Sequence, residues 1–147
     1  MASFFYNLAL RNALQGKIAV GTDTFRGMLL TNAHTPNQDT HEFRSSLTNE
    51  VTGTGYTAGG ATVTLSLGVN TGTDVVTLTV GALSWPASTI TARYLAIYKS
   101  RGGAAGADEL VMIIENKNAG TPGDVISTGG TLDWPVSTYA ISNPLVA

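Results

Sequence analysis

Apolar and polar residues alternate most strictly in the middle of the chain, where Ala61, Val63, Leu65 and Leu67 are separated by Thr62, Thr64 and Ser66. A period of two places alternate side chains on opposite faces, so this run predicts a half-buried strand. Residues 69–74, Val-Asn-Thr-Gly-Thr-Asp, carry turn chemistry, and Val76, Leu78 and Val80 then alternate with Thr77 and Thr79. The two runs predict an antiparallel hairpin. Apolar or β-branched runs at 82–85, 91–98 and 110–115 predict three more strands, with Gly102, Gly103 and Gly106 turning the chain between the last two. Earlier, 17–20 and 25–31 read as a hairpin about Gly21-Thr22-Asp23-Thr24. Later, 124–127, 132–134 and 139–146 are weaker strands in a region rich in Gly, Asn and Thr.

Helical spacing occurs twice. Phe4, Leu8 and Arg11 recur at intervals of three to four, Ser3 is a suitable N-cap and Gly16 a stop signal, so residues 3–15 predict a short helix. Such a helix is marginal alone, and its apolar side must pack on its own domain or on a neighbouring subunit. After the polar loop 32–39, Asp39 and Glu42 stand in capping-box order ahead of the Phe43/Leu47 pair, which predicts a second small helix ending at Asn49 or Gly53. Residues 53–60 hold four glycines in eight positions and read as a loop able to approach another surface closely. The elements add up to a single mainly-β domain spanning residues 1–147. Its expected fold is an antiparallel β-sandwich, or a barrel-like closure of one, with seven or eight short strands and one or two short helices.

One echo runs through this pattern. Gly81-Ala82-Leu83-Ser84-Trp85-Pro86-Ala87-Ser88-Thr89 recurs as Gly130-Thr131-Leu132-Asp133-Trp134-Pro135-Val136-Ser137-Thr138. Proline removes a ladder donor, so each copy reads as a strand that ends at a sheet edge with its Trp as an aromatic plug. Paired aromatics forming a sugar platform are the alternative. Two copies with unrelated sequence between them do not make a solenoid or propeller.

Composition narrows the function more than it defines it. Eight Lys+Arg against ten Asp+Glu leave a formal charge of -2, which gives no electrostatic footprint for nucleic acid or an anionic membrane, and neither is expected as a partner. No Cys is present, which removes disulfides, thiolate metal sites and cysteine nucleophiles. No apolar run approaches a membrane span, and residues 1–14 interleave polar and apolar residues unlike a secretory signal. His34 and His41, near Asp39 and Glu42, match no familiar metal-ligand spacing, so no metal and no cofactor is implied. Serines lack a nucleophile-elbow setting, and the carboxylates fall mostly at turns such as Asp23, Asp74, Asp108 and Asp124, so enzymatic activity is not expected. Arg93, Lys99 and Arg101 lie near Tyr94 and Tyr98, a mixture better suited to protein contacts than to nucleic acid.

Three strings carry a resemblance: Thr35-Pro36-Asn37-Gln38-Asp39-Thr40-His41, then the Asn49-Glu50-Val51 to Gly59-Gly60-Ala61 segment with its Gly55-Tyr56 pair, then Trp85-Pro86-Ala87-Ser88-Thr89-Ile90-Thr91-Ala92-Arg93-Tyr94 leading into Ala96-Ile97-Tyr98. They are similar to small virion structural proteins of tailed bacteriophages. The similarity runs from about Phe5 to Tyr98, and the C-terminal third departs from it. It implies head decoration or cement: non-covalent binding to the major capsid protein on the virion surface, with multivalency from a homo-oligomer, a trimer being favoured. Tail or baseplate placement, and a carbohydrate-binding module for host attachment, are the alternatives. The helix 3–15 and loop 32–39 are the expected reaching elements, and the expected interface residues are Phe4, Phe5, Leu8, His34, Pro36, Tyr56, Arg93 and Tyr98.

Overall fold

The computed structural model describes residues 3–141. Its elements in chain order are β1 (Phe4–Phe5), α1 (Asn7–Leu14), β2 (Phe25–Leu30), β3 (Ala61–Val63), β4 (Leu65–Asn70), β5 (Val75–Val80), β6 (Leu83–Ala92), β7 (Tyr94–Lys99), β8 (Leu110–Glu115), β9 (Lys117–Asn118), β10 (Thr121–Pro122), β11 (Val125–Trp134) and β12 (Ser137–Ile141). All strand pairs are antiparallel. A five-stranded sheet in the order β1-β8-β7-β2-β3 forms one layer; the pair β11-β6 and the three-stranded sheet β12-β5-β4 make the other. No barrel closes among the described residues, and the fold is the expected sandwich type. The expected strand over 142–146 lies outside the described residues.

Two single residues turn the corners between layers. Thr64 separates β3 from β4, and its carbonyl accepts the Gly81 N–H at 2.8 Å; the alternating run 61–67 is therefore one strand by pattern and two by pairing. Arg93 does the same between β6 and β7, its N–H donating to Leu30 and its carbonyl accepting from Asn116. Strands that switch sheets in this way are how sandwiches make corners. β7 and β8 are the central strands and are buried along almost their whole length, which explains their unbroken apolar runs. Gly27 in β2 allows the second layer to settle on the first: a Cβ there would lie 2.6 Å from the Leu83 side chain.

The echo has a structural meaning. Its two copies pair with each other, Leu83 opposite Trp134, Ser84 opposite Asp133 and Trp85 opposite Leu132, with Ser84 Oγ donating to Asp133 at 2.8 Å. Each Trp thus stands opposite the other copy's Leu, and all four residues are buried. The expectation that both strands stop at the proline holds for one copy only. β11 ends at Trp134 before Pro135, whereas β6 continues through Pro86 to Ala92, because the register shifts between Trp85 and Ser88, opposite Thr131, so that Pro86 owes no ladder hydrogen bond. That bulge has a consequence for burial. Leu83 and Trp85 face inward at odd positions, and Ser88, Ile90 and Ala92 face inward at even ones.

Three local expectations are corrected. Residues 17–20 form turns rather than a strand, with Asp23 accepting the Ala19 N–H at 2.7 Å, and β2 finds its partners in β3 and β7. The first helix begins at Asn7 because Phe4 and Phe5 add to the edge of β8, and Ser3, instead of capping, accepts the Glu115 N–H. The second helix is only a 3-10 turn at Arg44–Ser46. Its would-be capping residues are taken by α1: Asn7 donates to Asp39, while Arg11 and Asn12 both donate to Glu42.

Candidate interaction surface

The glycine-tyrosine segment 49–60 joins the two layers and is fastened through Glu50, Tyr56, Gly59 and Gly60. Glu50 accepts from the Tyr56 hydroxyl at 2.9 Å and from the Gly59 N–H, while the same Tyr56 oxygen accepts the Leu29 N–H at 3.1 Å. Tyr98 donates to the Gly59 carbonyl at 2.6 Å, and Arg26 donates to the carbonyls of Gly59 and Gly60. Burial raises the Tyr56 phenol above its ordinary pKa and the Glu50 carboxylate adds to the effect, so the hydroxyl stays a donor. Isolated bridges tie Glu50 to Leu30 and Thr54 to Thr89, one in each layer. Gly60 is obligatory at the far end: its φ is +77° and a Cβ would lie 1.8 Å from the Gly27 carbonyl oxygen. The spacing of the motif is the spacing of a strap.

His34 anchors a second strap, the loop after β2. It is buried, its ring meets Tyr94 edge-on at 6.0 Å and His41 at 5.8 Å, and the Thr48 N–H donates to its Nδ1 at 3.3 Å. The Thr48 hydroxyl lies 3.1 Å from the same Nδ1. Among the described residues no three His, Asp or Glu side chains stand together as a group that could hold a metal ion. Burial, with His41 adding to it, pushes His34 down to about 4.

The cations near the tyrosines are committed to ion pairs. Arg93 meets Asp124 at 2.8 Å, Lys99 meets Asp23 at 2.9 Å and Arg101 meets Glu109 at 2.7 Å. Most of the expected interface residues have similar internal duties. Phe4 and Phe5 are half-buried on β8, Leu8 is half-buried on α1, Tyr56 and Arg93 hold the contacts just described, and His34, Pro36 and Tyr98 are buried. Buried side chains of that kind are closed to a partner in this conformation. Trp85 and Trp134 are core residues too, so neither indole forms a sugar platform.

An apolar surface is also exposed, built mostly from residues outside the expected interface. Seven large hydrophobic side chains are exposed among the described residues; two of them, Leu10 and Leu67, line one cleft, and Val69 and Val76 continue the sheet face that Leu67 belongs to. The cleft, about 150 Å³, lies between α1 and the β12-β5-β4 sheet; Leu10, Ala13, Ile18, Val20, Leu67 and Ile141 line it. Register explains the sheet's contribution. Leu67 pairs with Leu78 and Leu78 with Tyr139, Val69 with Val76 and Val76 with Ile141, so one face of the sheet is apolar throughout. Its inner end, at Leu65 and Val80, reaches the core, and its outer end does not. Leu14 is 90% exposed and Val69 70%. The sequence signal is present for Leu67 in the alternation of 61–67, but alternation gives the apolar face without saying where the cover stops, and Val69, expected in the turn 69–74, lies in β4 instead.

No protein-family model matches the chain, nor does any curated protein or solved structure. Among the described residues no helix is long and apolar enough to cross a membrane.

Proposed function

We propose that this chain is a non-enzymatic virion structural protein of a tailed bacteriophage, a capsid decoration or cement protein that binds the major capsid protein and stabilises the head. The observation that carries the reading is the Asn49–Ala61 string, with its resemblance to small phage virion proteins. Two features support it. The polar side chains that chemistry would need are spent on fastening loops, Glu50 on Tyr56 and Gly59, Arg93 on Asp124, Arg44 on Asp108. An apolar cleft lined by no charged residue is also exposed, the kind of surface that marks protein contact. Weak contacts of this sort reach useful affinity when repeated over a lattice, as a homo-oligomer on a shell would repeat them.

Cosedimentation tests the proposal. The purified protein is expected to pellet with mature heads that lack it and to raise their resistance to heat or chelator, while purified tails leave it in the supernatant. Binding to tails and not to heads would move it to the tail or baseplate. Binding to neither, with a hit in a glycan array, would overturn the virion reading.

A further inference from the structure

Beside the apolar cleft, β4 has no neighbour on its outer edge among the described residues: it is the last strand of the order β12-β5-β4, so half of its backbone donors and acceptors face away from the sheet. Natural edge strands are protected by charge, proline, a bulge or brevity. β4 has none of these. It runs for six residues, Leu-Ser-Leu-Gly-Val-Asn, without a charged residue or a proline, and its ladder to β5 is unbroken. Neither β5 nor β12 carries a charge either. A partner at this edge must be an uncharged strand with an apolar face on the α1 side.

We infer that the partner is a second copy of this chain, paired β4 to β4 about a two-fold axis. In an antiparallel pair the apolar faces match whenever an odd-numbered residue of one copy stands opposite an odd-numbered residue of the other. Of these registers, Leu67 opposite Val69 of the second copy, with the axis at Gly68, is the one that pairs both exposed side chains with each other. That register continues the three-stranded sheet into six strands and extends its apolar face across the axis. The contact is isologous: the same patch serves both sides, as two-fold association requires. It brings together the side chains the monomer leaves uncovered, and it pairs the backbone edge in the same step. The inference concerns self-association and does not rest on the virion reading. It replaces the trimer expected from the sequence with a pair.

Light scattering after size-exclusion chromatography of the full chain, over a hundredfold concentration range, reads it directly. The wild type is expected at twice its 15.2 kDa chain mass, Val69→Lys at half the wild-type value, and Ile126→Lys, which alters an exposed apolar residue away from the cleft, at the wild-type value. Near-UV circular dichroism reports whether each variant keeps its tryptophan packing. A second variant keeps the test decisive if Val69→Lys does not fold. The chain has no cysteine, so Gly68→Cys, at the axis, is expected to give a disulfide-linked pair on mild oxidation, and Ile126→Cys is not. A wild-type monomer throughout, a trimer, or a Val69→Lys protein that folds and keeps the wild-type mass would overturn the inference.

Discussion

The strap formed by residues 49–60 and the hairpin β4–β5 are neighbours in sequence and opposites in construction. The strap has little apolar substance, yet Glu50, Tyr56, Tyr98 and Arg26 together satisfy it, and Gly60 sits where no Cβ fits. The hairpin has regular alternation and strong β propensity, yet its outer half projects Leu67 and Val69 into solvent. Polar, glycine-rich sequence is usually read as the adaptable, contact-making part of a protein and alternating apolar sequence as its core. Here the polar groups are bonded inward, so they fix the loop. The regular strand keeps surplus apolar face because only one end of its sheet is stacked on the opposite layer.

Three perturbations should separate the regions. The largest effect is expected at Gly60. Gly60→Ala should cost about 4 kcal/mol, combining positive-φ strain with overlap on the Gly27 carbonyl, whereas Gly129→Ala, also at positive φ but in open space, should cost about 1 kcal/mol. Urea denaturation monitored by Trp fluorescence gives both values; equal costs would remove the strap's special status.

Acid should loosen the second strap. The folded pKa of His34, about 4, lies below that of the unfolded side chain near 6.5, so the stabilisation of the neutral ring is complete above about pH 6.5. Between pH 6.5 and 4 the unfolded chain takes up a proton that the folded chain refuses. About 2 kcal/mol should therefore be lost by pH 5, before most carboxylates titrate. His34→Asn is expected to flatten that slope in urea titrations at pH 7 and 5, and an unchanged slope would contradict the assignment.

A smaller loss, about 1 to 2 kcal/mol, is expected for Tyr56→Phe, which leaves the Leu29 N–H without its acceptor and removes one donor from Glu50. A change within 0.5 kcal/mol would mean that the motif's tyrosine is spare.

The sequence made the sandwich legible through its period-two runs, and the strands at 75–80, 94–98 and 110–115 follow from residues that favour pleated, buried surfaces. It concealed the changes of layer at Thr64 and Arg93, because a strand that switches sheets keeps its alternation. It also concealed the phase reversal at Pro86, where a bulge moves the inward face from odd to even positions. Misplaced helices share one cause: Ser3, Asp39 and Glu42 have good local capping chemistry, and distant partners captured them. The expected contact residues show the same capture by internal partners. His34, Arg93 and Tyr98 have side chains that favour interfaces, but complementary groups inside the chain reach them first. Leu67 reads as an ordinary strand residue and Val69 as part of a turn, and nothing local records that their shared face lies exposed.

Amide hydrogen exchange of the wild-type protein, followed by mass spectrometry at low and high concentration, tests the contrast most directly. The strap amides of Gly59 and Gly60, together with Leu29 beneath them, should exchange slowly and at the same rate in both samples. The amides of Leu67 and Val69, which face away from β5, should exchange quickly in dilute protein and slow markedly on concentration. Concentration-dependent protection of the strap, with β4 unaffected, would contradict the account.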